Sequence, residues 1–347
     1  MADVRTDHPI SAETRVRMVV ATVVARSVRL VCGAVFRDLE SRMILQPGIH
    51  FGVATADYFA DPAPTPSLTQ SIAKILLDES PAHARLAHPR LAPPVSEDDD
   101  ETEKYVAAQA IGNAAHKLLI GRGKELALAD FENWRKKEAQ QFKESANLAG
   151  LTPILSAHYD RAQQMAKTAR VQLDAIGWTD AFAWGEGETV LIAKDGDTYL
   201  RTMVDWYVDP TLCYDLKTSG GSLAPHLIGR KAEADGWHIQ AAMQERILDI
   251  LEPESAGRHR WRCVAQENWE PWALVAVELD ERWLTMGRKA LAMAVGIWRQ
   301  CMASGQWPAY PAFPITPEFP SYKEAAWLGR ELAHENRRIA ADHLMGG

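Results

Sequence analysis

The residues most able to do chemistry are Asp205, in Val204-Asp205-Trp206, and the pair Asp215 and Lys217 within Tyr214-Asp215-Leu216-Lys217. In an extended strand, residues two apart share a face, so Asp215 and Lys217 project together. The Asp209-Pro210 turn is expected to bring Asp205, on the preceding strand, beside Asp215. Two carboxylates and an ammonium then converge at one edge of a sheet. Carboxylate oxygens suit hard Mg2+ or Mn2+, ions that bind phosphate oxygens and activate water. A lysine beside them can orient that water and stabilise charge developing on a phosphoryl group. The alternative is a surface ion pair at a strand end, since a D-x-K triplet arises readily by chance. The setting favours chemistry. Both charges interrupt an apolar run, with Tyr214 and Leu216 expected to face the core and both charges an open edge. Charges so placed are costly to bury without a partner or an ion.

The elements that must position these residues follow from periodicity. Thr189–Lys194 and Thr198–Val208 alternate as strands around Asp195-Gly196, a strong hairpin signal. Thr211–Thr218 is a third strand, followed by a Gly-Gly turn and a helix over Lys231–Leu251. Arg260–Glu267 and Trp272–Leu279 make a second hairpin, and Glu281–Ser304 a long helix. Upstream, Ser67–Leu77 is expected as a helix capped by Ser67, and Tyr105–Ile120 as a helix ended by Gly121. Asp130–Glu144 is expected as a charged exposed helix, and Ser156–Ile176 carries a helical apolar stripe. The Pro-rich tail after Trp307 is expected to be irregular until a last helix near residue 322, and no internal repeat is visible.

Composition narrows the function classes. The chain has 347 residues, 47% of them hydrophobic and 24% charged, enough to bury a full core in one large domain or two small ones. It is not wholly disordered, collagen-like or a disulfide scaffold. A net charge of -8 disfavours nonspecific coating of nucleic acid, while leaving room for a local basic channel around an acidic site. Cys32, Cys213, Cys263 and Cys301 stand apart with no CxxC pair, as expected of reduced thiols in a cytoplasmic protein. The longest apolar run, Met18 to Ala25, is far short of the ~20 residues of a membrane span. Residues 1–42 carry seven Arg and no Lys; they suit either an extension upstream of Met43 or an ordinary N-terminal helix. The acidic run from Ser96 to Glu103 suits a solvated loop.

Five segments, taken in order, resemble the PD-(D/E)xK nuclease superfamily, in its phage-type branch related to exonuclease VIII. They are QPGIHFGVATADYFADP with PSLTQSIAKILLDESPAHARLAHP, then GNAAHKLLIGRG, GETVLIAKDGDTYLRTMVDW, YDLKTS and GWHIQAAMQERIL. The resemblance spans roughly Met43 to Pro311. It implies that Asp205 and Asp215 bind metal, that Lys217 is catalytic, and that His116 and the backbone carbonyl of Leu216 complete the metal shell. Glu188 matches the acidic residue before the hairpin, with Glu186 close enough to exchange places. Gln240 matches a helix glutamine near DNA or the water network. Val204 stands where the family has a proline, which supplies no ligand, and Trp237 stands where a tyrosine is common.

Beside that resemblance, Gly112, one turn before His116, permits close approach to a neighbouring element. Gln240, Gln244 and Trp237 share a helix face. Arg201 lies on the strand face of Asp205, and Arg230 and Lys231 precede the glutamine helix; all three are candidates to reach phosphate, with Trp237 and Gln240 facing DNA.

The expected fold is α/β, a restriction-endonuclease-like core with a mixed central sheet of about five strands and helices on both faces. The expected organisation is an extension at 1–42, an exonuclease domain at 43–315 and a tail with a helix at 316–347. The expected function is Mg2+- or Mn2+-dependent exonucleolytic hydrolysis of linear duplex DNA, 5′-to-3′, in phage-type recombination. A single-strand annealing protein is the implied partner, in a homo-oligomer without membrane association. No GxxxxGK(S/T) motif is present, so no ATP requirement is expected. The alternatives are a structure-specific endonuclease of the same superfamily and a catalytically silent DNA-binding module.

Overall fold

The computed structural model describes residues 43–93 and 103–345; residues 1–42 and most of the acidic run at 96–103 lie outside the described residues. Within the first unit, which ends at Pro308, the alternating segments build one mixed sheet. Its strands are β1 (Gly48–His50), β4 (Glu186–Asp195), β5 (Thr198–Asp209), β6 (Leu212–Ser219), β7 (Arg260–Glu267) and β8 (Leu274–Glu278), in the order β1-β4-β5-β6-β7-β8. All neighbours run antiparallel except β6 and β7, which are parallel. A parallel pair needs a crossover. The helices α7 (Ile228–Ala234) and α8 (Trp237–Leu251) supply it.

Helices cover both faces. On one, α2 (Gln70–Asp78), α8 and α9 (Glu281–Ser304) pack Ile72, Met243, Leu291 and Trp298 with Leu191, Leu200 and Cys213 of the sheet. On the other, α4 (Glu103–Ile120) and α6 (Ser156–Ala175) bring Leu119, Ile120 and Leu173 to Trp206, Tyr214, Leu216 and Val264. Neighbouring residues Cys213 and Tyr214 thus enter different clusters, as period-two alternation requires. The mixed α/β architecture is the expected one, with β1 as an additional edge strand.

Several boundaries differ from expectation for identifiable reasons. The helix at 67–77 begins at Gln70, because Thr69 accepts the Ile72 amide at 3.3 Å while the Ser67 hydroxyl is used by buried Asp61 at 2.6 Å. The helix placed at 231–251 is two helices, split at Gly236, whose φ of +73° favours glycine. The charged helix is α5 (Lys137–Leu148), starting seven residues later than Asp130. A small parallel sheet of β2 (Leu126–Ala129) and β3 (Thr152–Leu155) lies beside α4, α5 and α6. Two short helices, α1 (Thr55–Phe59) and α3 (Pro81–Ala87), and a 3-10 turn (Pro253–Ser255) are also described.

The second unit begins at Ala309. Residues 309–320 contain no helix or strand and lead into α10 (Ser321–Met345). Among the described residues, no helix is long and apolar enough to cross a membrane.

Candidate active site

The sheet forks at the candidate residues. β5 and β6 pair only near their shared turn, at Trp206↔Tyr214, Tyr207↔Cys213 and Asp209↔Leu212. Beyond Tyr214, β6 stays with β7 as far as Ser219. At the fork, Asp205 Oδ2 accepts the Leu216 amide at 2.8 Å, a side-chain bond standing where a ladder bond would continue. On the other side of β5, the pairs Gly187↔Trp206 and Thr189↔Val204 place Glu188 opposite Asp205. Continuing the β5–β6 register places Asp215 opposite Asp205 in turn. Glu188, Asp205 and Asp215 therefore form a row across three strands.

Asp215 is not at an open edge, as the sequence suggested, but 1% exposed beneath α8. Gln240 Nε2 donates to its Oδ1 at 2.5 Å, and the Lys217 ammonium stands 2.7 Å from its Oδ2. That oxygen is buried without a hydrogen bond of proper direction. Burial pushes the Asp215 carboxyl above its ordinary range, and the Asp205 charge adds to the rise against the pull of Lys217. Burial pulls the Lys217 ammonium down, but the charges of Asp215 and Asp205 outweigh it and hold the lysine protonated. The adjoining thiols of Cys213 and Cys263 are buried and pushed upward by desolvation, so neither offers a thiolate.

His116 approaches from α4, with Nε2 3.5 Å from Asp205 Oδ1. Burial disfavours its charged form, yet the contact with Asp205 and the charges of Glu188 and Asp215 raise it above the ordinary imidazole value. Asp205 is held below the ordinary carboxyl range: burial pushes upward, and His116, Lys217 and the Leu216 amide prevail. Gly112 lets α4 come close, since a Cβ there would lie 2.8 Å from Thr218 Oγ1 of β6.

The turn after α4 distinguishes the surroundings of Glu186 and Glu188. A Cβ at Gly123 would lie 3.4 Å from Glu188 Oε1 and 3.9 Å from His116 Nδ1, so those two side chains border one spot. Glu186 instead pairs with Arg122 at 3.1 Å and is half exposed. Glu188 also has a left-handed φ of +52°, strain of the kind that collects at functional sites.

Three candidates for DNA contact are corrected by burial, Gln240 among them, which is 6% exposed and turned onto Asp215. Trp237 is fully buried, its ring 6.1 Å from that of Trp261 in the core under α8. Arg201 is 3% exposed and bound inward: it donates to Ser67 Oγ at 3.0 Å and to the Tyr58 carbonyl, and lies 3.3 Å from Asp61. Its charge neutralises a buried carboxylate that no sequence pattern links to it. Arg230 is exposed, and Lys231 pairs with Asp235 at 3.0 Å.

Sequence reasoning missed a cleft of about 550 Å³ that ends at Glu188, lined among others by Thr55, Lys117, Arg122, Lys124 and several glycines. Its signal was the basic, glycine-rich Gly121-Arg122-Gly123-Lys124 directly after the histidine helix. Another cleft, of about 490 Å³, holds Asp195, Arg246 and Arg299, whose charges pair with one another, and none of the candidate residues.

Carboxylate, imidazole and carbonyl groups are the donor types that suit a hard divalent cation. As they stand, no three His, Cys, Asp or Glu side chains among the described residues are close enough together to hold one. The Lys217 ammonium occupies the counter-ion position instead.

The architecture has a counterpart among solved structures. A candidate exonuclease from Eubacterium rectale matches with a TM-score of 0.50 and 11% sequence identity, over 80% of this chain and 98% of that one. The two chains share a fold. No known family's sequence pattern and no curated protein match this sequence. At that identity the likeness speaks for the scaffold alone.

Proposed function

We propose that this protein is a metal-dependent deoxyribonuclease, an exonuclease acting on linear duplex DNA. The observation that carries the reading is the fork itself: Glu188, Asp205 and Asp215 in one row, with Lys217, His116 and Gln240 converging on it. The fold shared with a candidate exonuclease supports it. The order of motifs shared with exonuclease VIII-like enzymes supports the finer reading of 5′-to-3′ digestion in phage-type recombination, with an annealing protein as partner.

His116, Glu188, Asp205, Asp215 and the Leu216 carbonyl would hold Mg2+ or Mn2+. That ion, when bound, supplies Lewis-acid stabilisation of phosphate oxygens and a more acidic water. Lys217 is charged, partly exposed and fixed beside Asp215, where its ammonium can orient a nucleophile and offset negative charge on the phosphoryl group. Gln240 keeps Asp215 Oδ1 turned toward α8. His116 holds Asp205 ionised, and Asp205 in turn fixes the Leu216 backbone. The basic cleft at Glu188 suits the phosphates of one strand, and exposed Arg230 adds positive charge near α8.

The decisive assay is a gel comparison of linear, nicked and closed-circular duplex DNA with Mg2+, beside Lys217→Ala. Progressive loss of linear DNA alone, absent in the variant, is the expected result. Cleavage of closed circles would make the protein an endonuclease. Binding without cleavage of any substrate would make it a silent module.

A further inference from the structure

Two large aromatic rings of the first unit stand beside the cleft that ends at Glu188. Phe51, directly after β1, is 55% exposed and precedes Gly52, which lines the cleft. Trp184 is 74% exposed and lies shortly before Gly187, another lining residue. Scattered exposed aromatics need no explanation, but these two are held in place. The Phe51 ring leans on the Tyr207 ring, with centroids 6.1 Å apart. The Trp184 carbonyl accepts the indole N–H of Trp206 at 2.9 Å. Gly185, which follows it, has a φ of +136° and lies so close to β5 that a Cβ there would collide with the Tyr207 carbonyl. Both rings are therefore anchored on Trp206 and Tyr207, the two β5 residues paired with Gly187 and Glu186 at the start of β4.

The charges of the cleft name the class of ligand. Lys117, Arg122 and Lys124 line it against Glu125 and Glu188. Lys117 pairs with Glu125 at 2.6 Å and Arg122 with Glu186 at 3.1 Å, and Lys124 is exposed. A volume of about 550 Å³ is that of a small-ligand site, so nucleotides enter from one strand and not as a duplex. Cations beside exposed rings are the combination that binds single strands, with phosphates tracking the charges and unpaired bases stacking on the rings. We infer that Phe51 and Trp184 are stacking platforms for unpaired bases, and that the favoured DNA end carries a single-stranded overhang led along Lys117, Arg122 and Lys124 toward Glu188. The inference rests on the nuclease reading for its polyanion and adds the form of the end. An overhang offers its bases to the rings at once, whereas a blunt end has them already paired.

The test is fluorescence anisotropy with the full chain in EDTA, so that no cleavage intervenes. The probes are a labelled oligothymidine and an abasic strand of equal length and charge. The parent is expected to bind the oligothymidine at least about fivefold more tightly, the equivalent of one stacked base. Phe51→Ala and Trp184→Ala should each lose about that factor on the oligothymidine and nothing on the abasic strand. Trp184→Phe, which keeps a ring, should retain the preference, and Met293→Ala, at an exposed position on α9, should match the parent. A duplex with an overhang should displace the oligothymidine at least about fivefold better than a blunt one. Absent binding of the oligothymidine, equal binding of the two strands, a preference that survives loss of both rings, or equal displacement by the two duplexes overturns the inference. The nuclease reading answers separately to cleavage. Digestion of linear DNA with no base preference removes this inference alone, and a base preference without cleavage in Mg2+ removes that reading alone.

Discussion

Replacing Lys217 with methionine in metal-free buffer separates the two roles of this side chain. Its ammonium stands 2.7 Å from an Asp215 oxygen in a carboxylate that is 1% exposed. Removing one partner of a buried pair costs about 3–5 kcal/mol. The Lys217 side chain keeps 31% exposure, which puts the loss near the lower end, about 3 kcal/mol. For a chain of this size that corresponds to a fall in melting temperature of roughly 4–6 °C. The sign of the pH dependence follows from Asp215, which burial already holds above its ordinary range. Without Lys217 it rises further. A carboxyl with a folded pKa above its unfolded one is penalised increasingly as pH climbs between the two values. The deficit is therefore smallest near pH 4 and largest near pH 8, and Asp215→Asn in the same chain recovers most of it. Melting curves of the parent, the single variant and the double variant at both pH values check this. A deficit equal at the two values, or none at all, would refute the view of Lys217 as an internal counter-ion.

Other outcomes follow from the same geometry. Millimolar Mg2+ or Mn2+ should raise the parent's melting temperature, and raise that of Lys217→Met more, because no ammonium then competes; Asp205→Asn should abolish both effects in calorimetry. In metal-free buffer, His116 has a raised folded pKa, so its contribution is complete below the ordinary imidazole value and fades as pH rises through the folded one. Urea midpoints of the parent and His116→Asn should therefore converge at alkaline pH. Arg201→Met should destabilise the fold by less than the about 3–5 kcal/mol of a fully uncompensated buried charge, because Arg90 still lies 3.4 Å from Asp61. The salt dependence of DNA binding in the surviving fold should stay unchanged, whereas Lys124→Ala should reduce its slope by about one. Gly287→Ala would drive a methyl into the His238 carbonyl where α9 crosses α8, and denaturant titration should show a loss of about 3 kcal/mol.

The sheet was legible because its signals are local. Asp195-Gly196 marks a hairpin, and alternation around it fixes which side chains share a face. The Asp205, Asp215 and Lys217 cluster was legible for the same reason: two adjacent strands and one turn bring it together. What escaped depends on distant partners. Arg201 reads as a surface cation until Asp61 is found beside it. Ser67 reads as a helix cap until the same aspartate claims its hydroxyl. β2 and β3 are four residues each, too short to show a period. The break between α7 and α8 is written in Asp235-Gly236, whose glycine takes the left-handed backbone that ends one helix and starts the next.

The fork is hinged at one place, the turn where Asp209 Oδ1 accepts both the amide and the hydroxyl of Thr211 at 2.7 Å. Insertions elsewhere meet different mechanical constraints. Extra residues in the Asp195–Thr198 hairpin lengthen a loop at the far end of β5 and leave the carboxylate row in register. One extra residue between Asp209 and Leu212 turns every β6 side chain over, sending Asp215 and Lys217 into the apolar layer of α4 and Leu216 toward α8. Among descendants of this sequence, length should therefore drift freely at the first loop and stay frozen at the second, whatever happens to the letters between them.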